Sequence, residues 1–248
     1  MRLAIFSDVH GNLEALEIFL EALRNERADR LFCLGDSVGY GPNPNECLEL
    51  IRSINNIVVL MGNHEWALLN MATAQRSMNP VAFKAIDWTR LRLTDANFDY
   101  ISCLPIGAEY GSFCFFHASA HSPEQWDYVR PGDSVTVQSC FNSSTQRITC
   151  VGHTHRPMLL DINGDKVLPT VSFSDGTIYQ EDGKSNLIIN PGSIGQPRDH
   201  SHLPCYVIYD SDTCSITWRR LSDYDASITA AKIFATGLPA KLAYYLID

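Results

Sequence analysis

The start of the chain decides the fold, and it reads Leu3-Ala-Ile-Phe-Ser-Asp-Val-His-Gly-Asn-Leu-Glu-Ala-Leu-Glu-Ile-Phe-Leu20. A short apolar run ends at a Ser-Asp pair, and the large apolar residues that follow recur at helical spacing, which predicts a buried strand and then an amphipathic helix. Two more apolar runs, at residues 31–34 and 57–61, are separated by a second helical pattern at residues 47–51. We therefore expect β-α-β-α-β with parallel strands and right-handed crossovers.

The remainder of the chain changes pattern twice. Residues 65–104 are helical in pattern, and Pro80 is predicted to open one of these helices. The apolar face of that helix would carry Val81, Ala85, Trp88 and Leu91. Short apolar runs between Gly, Pro, Asn and Asp then predict strands at residues 113–116, 147–151, 158–162, 171–173, 187–189 and 206–209.

Helices are predicted again at the end of the chain, at about residues 224–235 and 239–246, joined by Gly237-Leu-Pro239. We find no internal repeat and no obvious linker. Residues 1–248 are therefore expected to form one α/β domain, with a helical insert at about 65–104 and C-terminal helices at about 224–247.

The composition is that of an ordinary globular protein. Of the 248 residues, 45% are hydrophobic and 19% are charged, a balance that disordered chains lack. Nineteen Lys and Arg against 28 Asp and Glu give a formal net charge of −9. Nonspecific nucleic-acid binding is not expected of such an acidic chain, which has no basic run, and a phosphorylated ligand would need a local source of positive charge.

Cysteine usage and hydropathy bear on the compartment. The eight cysteines are scattered without a Cys-x-x-Cys pair, and we interpret them as reduced core residues. No stretch approaches the ~20 apolar residues that span a bilayer. No basic segment followed by an apolar one precedes the first strand. These features predict a cytoplasmic protein without membrane contact, and the sequence leaves its oligomeric state open.

Polar residues that can bind metals follow five of the apolar runs. The five segments are Asp8-Val-His10, Gly35-Asp36, Gly62-Asn63-His64-Glu65, His117 and Gly152-His153-Thr-His155. Singly, each has an ordinary explanation as a turn, a helix cap or a hydrogen-bonded core histidine. In parallel α/β sheets, ligands bind beyond the carboxyl ends of the strands, so at least the first three segments should converge. The shared placement predicts one site.

In this combination and order, the five segments resemble those of the calcineurin-like metallophosphoesterase family. Four further stretches resemble its compact bacterial and archaeal branch: residues 7–16, Gly39-Tyr-Gly-Pro42, Asn190-Pro-Gly-Ser193 and Gly237-Leu-Pro239. The resemblance covers most of the chain and implies a four-layer αββα sandwich, in which two mixed β-sheets are flanked by helices. It also implies a dinuclear-metal phosphoesterase that hydrolyses phosphodiester or nucleotide phosphoanhydride bonds by attack of a metal-bound hydroxide.

The same resemblance implies a role for each site residue. Asp36 would bridge two metal ions, a role that suits the two oxygens of a carboxylate. The other ligands of one ion would be Asp8, His10 and His155. The other ligands of the second ion would be Asn63, His117 and His153. Nitrogen and oxygen ligands without a thiolate suit Mn, Fe, Ni, Co or Zn rather than calcium.

His64 follows a ligand in the chain and is not itself expected to coordinate. The resemblance makes it the catalytic residue that donates a proton to the leaving oxygen or stabilises the charge there. The alternative is that His64 only hydrogen-bonds the residues around Asn63.

The chain departs from the superfamily that it resembles where substrate recognition is concerned. Phosphoprotein phosphatases and symmetrical dinucleoside tetraphosphatases carry arginines where this chain has Tyr40 and Met61, and the phosphoprotein phosphatases have an aspartate in place of Gly39. Without those guanidinium groups a phosphomonoester dianion is matched less well, which favours diesters or anhydrides such as diadenosine polyphosphates. Tyr40 could stack on a base or simply pack its loop onto the helical insert, and Arg198 is the candidate cationic contact.

Two alternatives stand beside this interpretation. One is a phosphoprotein or phosphomonoester phosphatase, and the other is a catalytically silent scaffold that keeps the fold to bind proteins. The scaffold is disfavoured because all seven expected ligands and His64 are present. The expected partner is a phosphorylated small molecule, with nucleotides as candidates. His121, His200 and His202 receive no role.

Overall fold

The computed structural model describes residues 1–162, 166–167 and 173–247. The strands are β1 (Arg2–Phe6), β2 (Arg30–Cys33), β3 (Ile57–Val59), β4 (Gly107–Tyr110), β5 (Phe113–Phe116), β6 (Ile148–Cys150), β7 (Met158–Asp161), β8 (Lys166–Val167), β9 (Thr177–Gln180), β10 (Leu187–Asn190), β11 (Cys205–Asp210) and β12 (Ser215–Arg220). The α-helices are α1 (Leu13–Glu26), α2 (Pro44–Ser53), α3 (Asn63–Leu69), α4 (Met71–Ser77), α5 (Pro80–Arg90), α6 (Asp95–Ser102), α7 (Ser134–Ser143), α8 (Ala226–Thr236) and α9 (Lys241–Ile247). A 3-10 helix spans Pro123–Gln125.

Over the described residues, the strands form two mixed sheets of six strands each. The first has the order β3-β2-β1-β11-β12-β9, in which β1, β2 and β3 are parallel to one another. The second has the order β4-β5-β6-β10-β7-β8, in which β5, β6 and β10 are parallel. The predicted parallel start of the chain is confirmed, because Leu3 pairs with Arg30 and Leu31 pairs with Ile57.

The two sheets pack face to face and are covered by helices on both outer sides. Between the sheets, Phe32 of β2 and Phe115 of β5 stack with ring centroids 3.8 Å apart. Helix α1 buries Phe19 against the outer face of the first sheet, and α7 buries Cys140 against the outer face of the second. Strands covered on both faces need apolar residues on both, as in β1. The predicted four-layer αββα sandwich is confirmed.

Local signals explain where several helices begin and end. The Asn12 side chain accepts a hydrogen bond from the Ala15 amide and caps α1. Helix α5 begins at Pro80 as predicted. Its Ala85 is fully buried, but Leu91 follows the last residue of the helix and is 77% exposed. The prediction that Leu91 lies on the apolar face is therefore wrong, because the helix ends before that residue turns inward.

Other sequence expectations need correction. Helix α7 was not predicted, because its β-branched and serine-rich sequence has low helix propensity and packing against the second sheet stabilises it instead. Strands β4, β8, β9 and β12 were also not predicted. The strand expected at 171–173 lies outside the described residues except for Phe173. Six cysteines are buried and free, whereas Cys103 and Cys214 are exposed and do not belong to the core.

In the part of the chain that the structure describes, no helix is both long enough and apolar enough to cross a bilayer.

The stacked rings between the sheets generate a stability prediction. Phe115 is fully buried, so Phe115→Ala should leave a cavity and lower the free energy of unfolding by about 3–5 kcal/mol in urea titration. Phe234 on α8 is 47% exposed, and Phe234→Ala should cost about 1 kcal/mol as a control. Equal losses in the two variants would contradict the described core.

Candidate metal centre

The strand ends of both sheets meet at one buried cluster of polar side chains. Three segments come from the first sheet, after β1, β2 and β3, and two come from the second, after β5 and β6. The side chains of seven cluster residues are at most 7% exposed: Asp8, His10, Asp36, His64, His117, His153 and His155. Asn63, at the start of α3, is half-buried. The structure thus brings together the side chains that follow the five apolar runs.

Two separate groups of ligand atoms can be distinguished within this cluster, and a third group, His10, Asp36 and His64, overlaps both. Asp8, His10 and His155 form one group, whose ligand atoms lie within 4.8 Å of one another. Asp36, His117 and His153 form another group within the same limit. Asn63 Oδ1 lies 3.1 Å from His117 Nε2 and so joins the second group. These groups coincide with the two ligand sets that the family resemblance implies.

Asp36 lies between the two groups. Its Oδ2 is 3.6 Å from His10 Nε2 on one side and 3.4 Å from His117 Nε2 on the other. Its Oδ1 accepts a hydrogen bond from the His64 amide at 2.9 Å. A Cβ at Gly62 would collide with that same oxygen, so only glycine allows α3 to approach Asp36 this closely. Asp36 is therefore placed where a bridging carboxylate would be needed.

The histidine hydrogen bonds indicate that a cation belongs in the first group. Nδ1 of His10 faces the carbonyl oxygen of Val38 at 3.1 Å, and Nδ1 of His155 faces that of Gln196 at 2.6 Å. A carbonyl only accepts, so both Nδ1 atoms carry the proton and both Nε2 atoms present lone pairs. These two Nε2 atoms are 3.1 Å apart. Two facing lone pairs repel each other, and a metal ion bound by both would remove that repulsion.

Burial keeps these two imidazoles neutral. For His155, burial and then the charge of Arg198 hold the pKa well below its usual range. For His10, burial and the neighbouring His64 do the same. A neutral imidazole is the form that binds metals, so neither ring needs to lose a charge-carrying proton on binding an ion.

The buried groups around Asp36 shift the pKa values of Asp36 and His117 in opposite directions. Burial acts to raise the pKa of Asp36, but the imidazoles of His117, His64 and His10 outweigh it and hold the pKa well below the usual range. Burial acts to lower the pKa of His117, but Asp36, Asp8 and other carboxylates outweigh it and raise the pKa to about 9. The carboxylates therefore stabilise a positive charge at this point. A bound dication would supply that charge in place of the proton on His117.

Five site residues have left-handed backbone conformations. Their φ angles are 57° at Asp8, 52° at His10, 53° at Asp36, 64° at His153 and 57° at His155. Each such residue costs about 1–2 kcal/mol when it is not glycine. Strain of this kind persists where the surrounding structure enforces it, and it collects at functional sites. The turns after β1, β2 and β6 therefore give up stability to aim their side chains into the cluster.

Glu65, which is not among the expected ligands or catalytic residues, holds the site together. Its fully buried carboxylate accepts hydrogen bonds from the backbone amides of Asp36 (2.8 Å), Ser37 (2.7 Å), Val38 (3.2 Å) and Gly62 (2.9 Å). The bond to Gly62 is half of a capping box, in which a glutamate three residues into a helix satisfies the amide at its start. The Gly-Asn-His-Glu spacing carries that signal in the sequence.

His64 differs from His10, His117 and His155 in what surrounds its ring. Its Nε2 lies 3.9 Å from Asp36 Oδ2, which is within reach of the metal cluster. Its buried Nδ1 has no hydrogen-bond partner among the described residues, whereas Nδ1 of His10, His117 and His155 each faces a carbonyl. Metal-binding histidines almost always have such a partner. The His64 ring occupies the space that a side chain at position 39 would need, so the glycine at that position makes room for the ring.

Tyr40 and Arg198 both lie beside the cluster. The Tyr40 ring is 4.5 Å from that of His10 and 4.4 Å from that of His64, measured between centroids. The guanidinium of Arg198 is 5.8 Å from the Tyr40 ring and is held by Gln196 Oε1 at 2.8 Å. A cleft of about 260 Å³ opens next to both residues, toward α5 and α9. The contacts of Tyr40 with two site histidines favour a packing role for its ring.

The remaining residues of interest fall into two classes. Tyr128 was missed by the sequence analysis, yet its ring stacks on His153 with centroids 4.0 Å apart. No spacing signal marks it, because it lies in an irregular segment after β5. Of the unassigned histidines, His121 is exposed and bonds Ser143, His202 is exposed, and His200 lines a cleft near Arg198.

Comparison with known proteins now identifies the family. A model of the calcineurin-like phosphoesterase superfamily domain matches residues 1–214. The chain is 36% identical over 241 residues to the uncharacterized protein MJ0912 of Methanocaldococcus jannaschii, which covers 96% of this chain and 93% of that protein. The crystal structure of a metallophosphoesterase from Sphaerobacter thermophilus superposes with a TM-score of 0.85 at 35% identity, covering 99% of this chain and 98% of that chain.

A more distant relative has a named activity. A symmetrical bis(5'-nucleosyl)-tetraphosphatase of Vibrio cholerae is 29% identical over 136 residues, which is 50% of this chain and 45% of that enzyme. The match therefore concerns only part of each protein. Together with the fold and the converging strand-end residues, the domain match and the full-length relatives establish that this chain belongs to the calcineurin-like phosphoesterase superfamily.

Proposed function

We propose that this protein is a dinuclear-metal phosphoesterase that hydrolyses phosphodiester or nucleotide phosphoanhydride bonds. The observation that carries the proposal is the pair of buried ligand groups with Asp36 between them. Family membership supports a phosphoesterase hydrolase in general. The two groups, each of three or more nitrogen and oxygen atoms, support two ions rather than one.

The assigned ligand sets are those implied by the motifs. We assign Asp8, His10 and His155 to one ion, Asn63, His117 and His153 to the other, and Asp36 to both. Nitrogen and oxygen donors without thiolate suit Mn, Fe, Ni, Co or Zn. When bound, two such ions would lower the pKa of a shared water and polarise the phosphate.

We assign to His64 the role of acting on the leaving group. Its Nε2 side reaches the cluster, while its Nδ1 lacks the carbonyl partner that orients a metal ligand. In this role the ring donates a proton to the departing oxygen or stabilises the charge there. The close contact of the Tyr40 ring restricts the orientation of His64, so Tyr40 contributes to positioning in addition to lining the substrate cleft.

We propose the substrate class from the positively charged side chain near the cluster. Arg198 is the proposed contact for a phosphate oxygen, and its backbone amide is bound to the His155 carbonyl, which ties it to the metal centre. Arg198 is the guanidinium placed against Tyr40 beside the cluster, and a single guanidinium there matches a diester or an anhydride better than a phosphomonoester dianion, which needs more compensation. The tetraphosphatase relative supports nucleotides such as diadenosine polyphosphates as candidate substrates. A catalytically silent scaffold would not require two complete sets of buried metal ligands.

The ligand assignment predicts different metal contents in two neighbouring variants. Asp36→Asn should lower the content of both ions, because the shared group loses its charge. His64→Ala should retain both ions and serves as the matched control, since it removes a buried ring 3.9 Å from the same carboxylate. Elemental analysis of the purified variants tests this. Wild-type metal content in Asp36→Asn would contradict the bridge, and metal loss in His64→Ala would make His64 a ligand.

The proposed activity can be measured on a simple diester. Bis(p-nitrophenyl) phosphate should be hydrolysed after loading with Mn²⁺ and not after treatment with a chelator. His64→Ala should reduce kcat by about 10²–10⁴-fold, the usual range for a group that transfers a proton.

Two results would contradict the proposal. Absence of hydrolysis with every added divalent metal, in folded protein, would favour the scaffold. Phosphopeptide hydrolysis more efficient than diester or diadenosine tetraphosphate hydrolysis would favour a phosphoprotein phosphatase.

A further inference from the structure

A second cleft opens on the other side of Arg198, away from α9. Its volume is about 550 Å³, roughly twice that of the cleft beside Tyr40. Its walls are formed by residues 128–131, 154, 156–158 and 198–200. Thr154, between the site histidines His153 and His155, belongs to this wall, so the cleft lies beside the turn that carries two of the proposed metal ligands.

Three arginines line this cleft: Arg130, Arg156 and Arg198. Over the described part of the chain, none of their guanidinium groups forms an ion pair with a carboxylate. Asp199, the carboxylate among the lining residues, is already paired with Arg220. The cleft therefore has a local excess of positive charge in a chain whose net charge is −9.

Two of these arginines are held in place while most of their donors remain free. Arg156 Nε donates to the carbonyl oxygen of Arg198 at 2.8 Å, which leaves the two terminal nitrogens for a ligand. The guanidinium of Arg130 lies 4.2 Å from the centre of the Tyr128 ring. Because Tyr128 in turn stacks on His153, a continuous stack runs from a proposed metal ligand to Arg130. The arginine side chains thus carry positive charge outward from the proposed metal centre along one wall of the cleft.

We propose that this arginine cleft binds the anionic arm of the substrate beyond the scissile phosphate, and that this arm is a phosphoanhydride chain. The inference rests on the proposed function and adds the substrate class: a nucleoside or dinucleoside polyphosphate in preference to a diester with neutral arms. Contiguous phosphates carry several charges over a short length, and guanidinium groups are well suited to bind their oxygens. A nucleic acid would extend beyond the cleft onto an acidic chain.

Equilibrium binding tests the cleft independently of catalysis. The probe is inorganic tripolyphosphate, titrated by calorimetry into the full-length protein as purified. The double variant Arg130→Gln/Arg156→Gln should bind it about tenfold or more weakly than wild type, because two charge-assisted contacts are lost at exposed positions. The difference should shrink as NaCl is added.

A matched control is available on α5 and just after it. Arg90 lies 4.2 Å from the Phe98 ring and Arg92 lies 3.9 Å from the Trp88 ring, in the same kind of contact as Arg130 on Tyr128. Arg90→Gln/Arg92→Gln removes the same charge and should bind tripolyphosphate like wild type. Equal weakening in both double variants, or none in Arg130→Gln/Arg156→Gln, would overturn the cleft. Preference for a single-stranded oligonucleotide over tripolyphosphate would overturn the phosphoanhydride assignment.

Kinetics separate this inference from the proposed function. In Arg130→Gln/Arg156→Gln, kcat/KM for diadenosine tetraphosphate should fall about tenfold more than kcat/KM for bis(p-nitrophenyl) phosphate. Equal losses on the two substrates would overturn the cleft while leaving the phosphoesterase intact. Arginine-dependent tripolyphosphate binding in a protein that hydrolyses no phosphoester would overturn the proposed function and leave the anion site standing.

Discussion

The buried carboxylate of Glu65 is the constraint on which the site depends. It accepts hydrogen bonds from backbone amides in the loop after β2 and from the amide of Gly62 at the start of α3. These bonds join the segment that carries Asp36 to the segment that carries His64. The amide of His64 in turn donates to Asp36. A buried carboxyl group is stable only when its oxygens are bonded, so the loop cannot relax without leaving those buried oxygens unpaired. Asp36 is thereby held in position before any ion binds.

The second sheet is joined to this unit through the same turns that bear the histidines. The amide of His153 donates to Asp8 Oδ2 at 3.2 Å, and Nδ1 of His117 donates to the carbonyl oxygen of Leu34, directly after β2, at 3.0 Å. Each proposed ion therefore lies between ligands from both sheets. The αββα packing and the metal centre depend on each other, because a shift of one sheet would separate the two halves of each ligand group. The left-handed residues in these turns carry the strain of that arrangement.

Much of this architecture was predictable, because strand ends and polar motifs are local features. Asp8, Asp36 and His117 were identified from their positions directly after apolar runs, and the parallel strands that bring the first two together follow from the β-α-β pattern. The contacts of Tyr128 and the excess charge at Arg156 were not predictable. They depend on irregular segments whose course is set by packing, and no residue spacing encodes which faces they present. Helix α7 escaped prediction for the same reason, since tertiary contacts outweigh its weak propensity.

The central claim is that Asp36 lies between two metal ions. Crystals of the protein grown with Mn²⁺ and measured for anomalous scattering would test it most directly. The account predicts two peaks about 3.5–4 Å apart on either side of Asp36, one beside Asp8 and His155 and the other beside His117 and His153. A single peak, or peaks that do not contact Asp36, would contradict it.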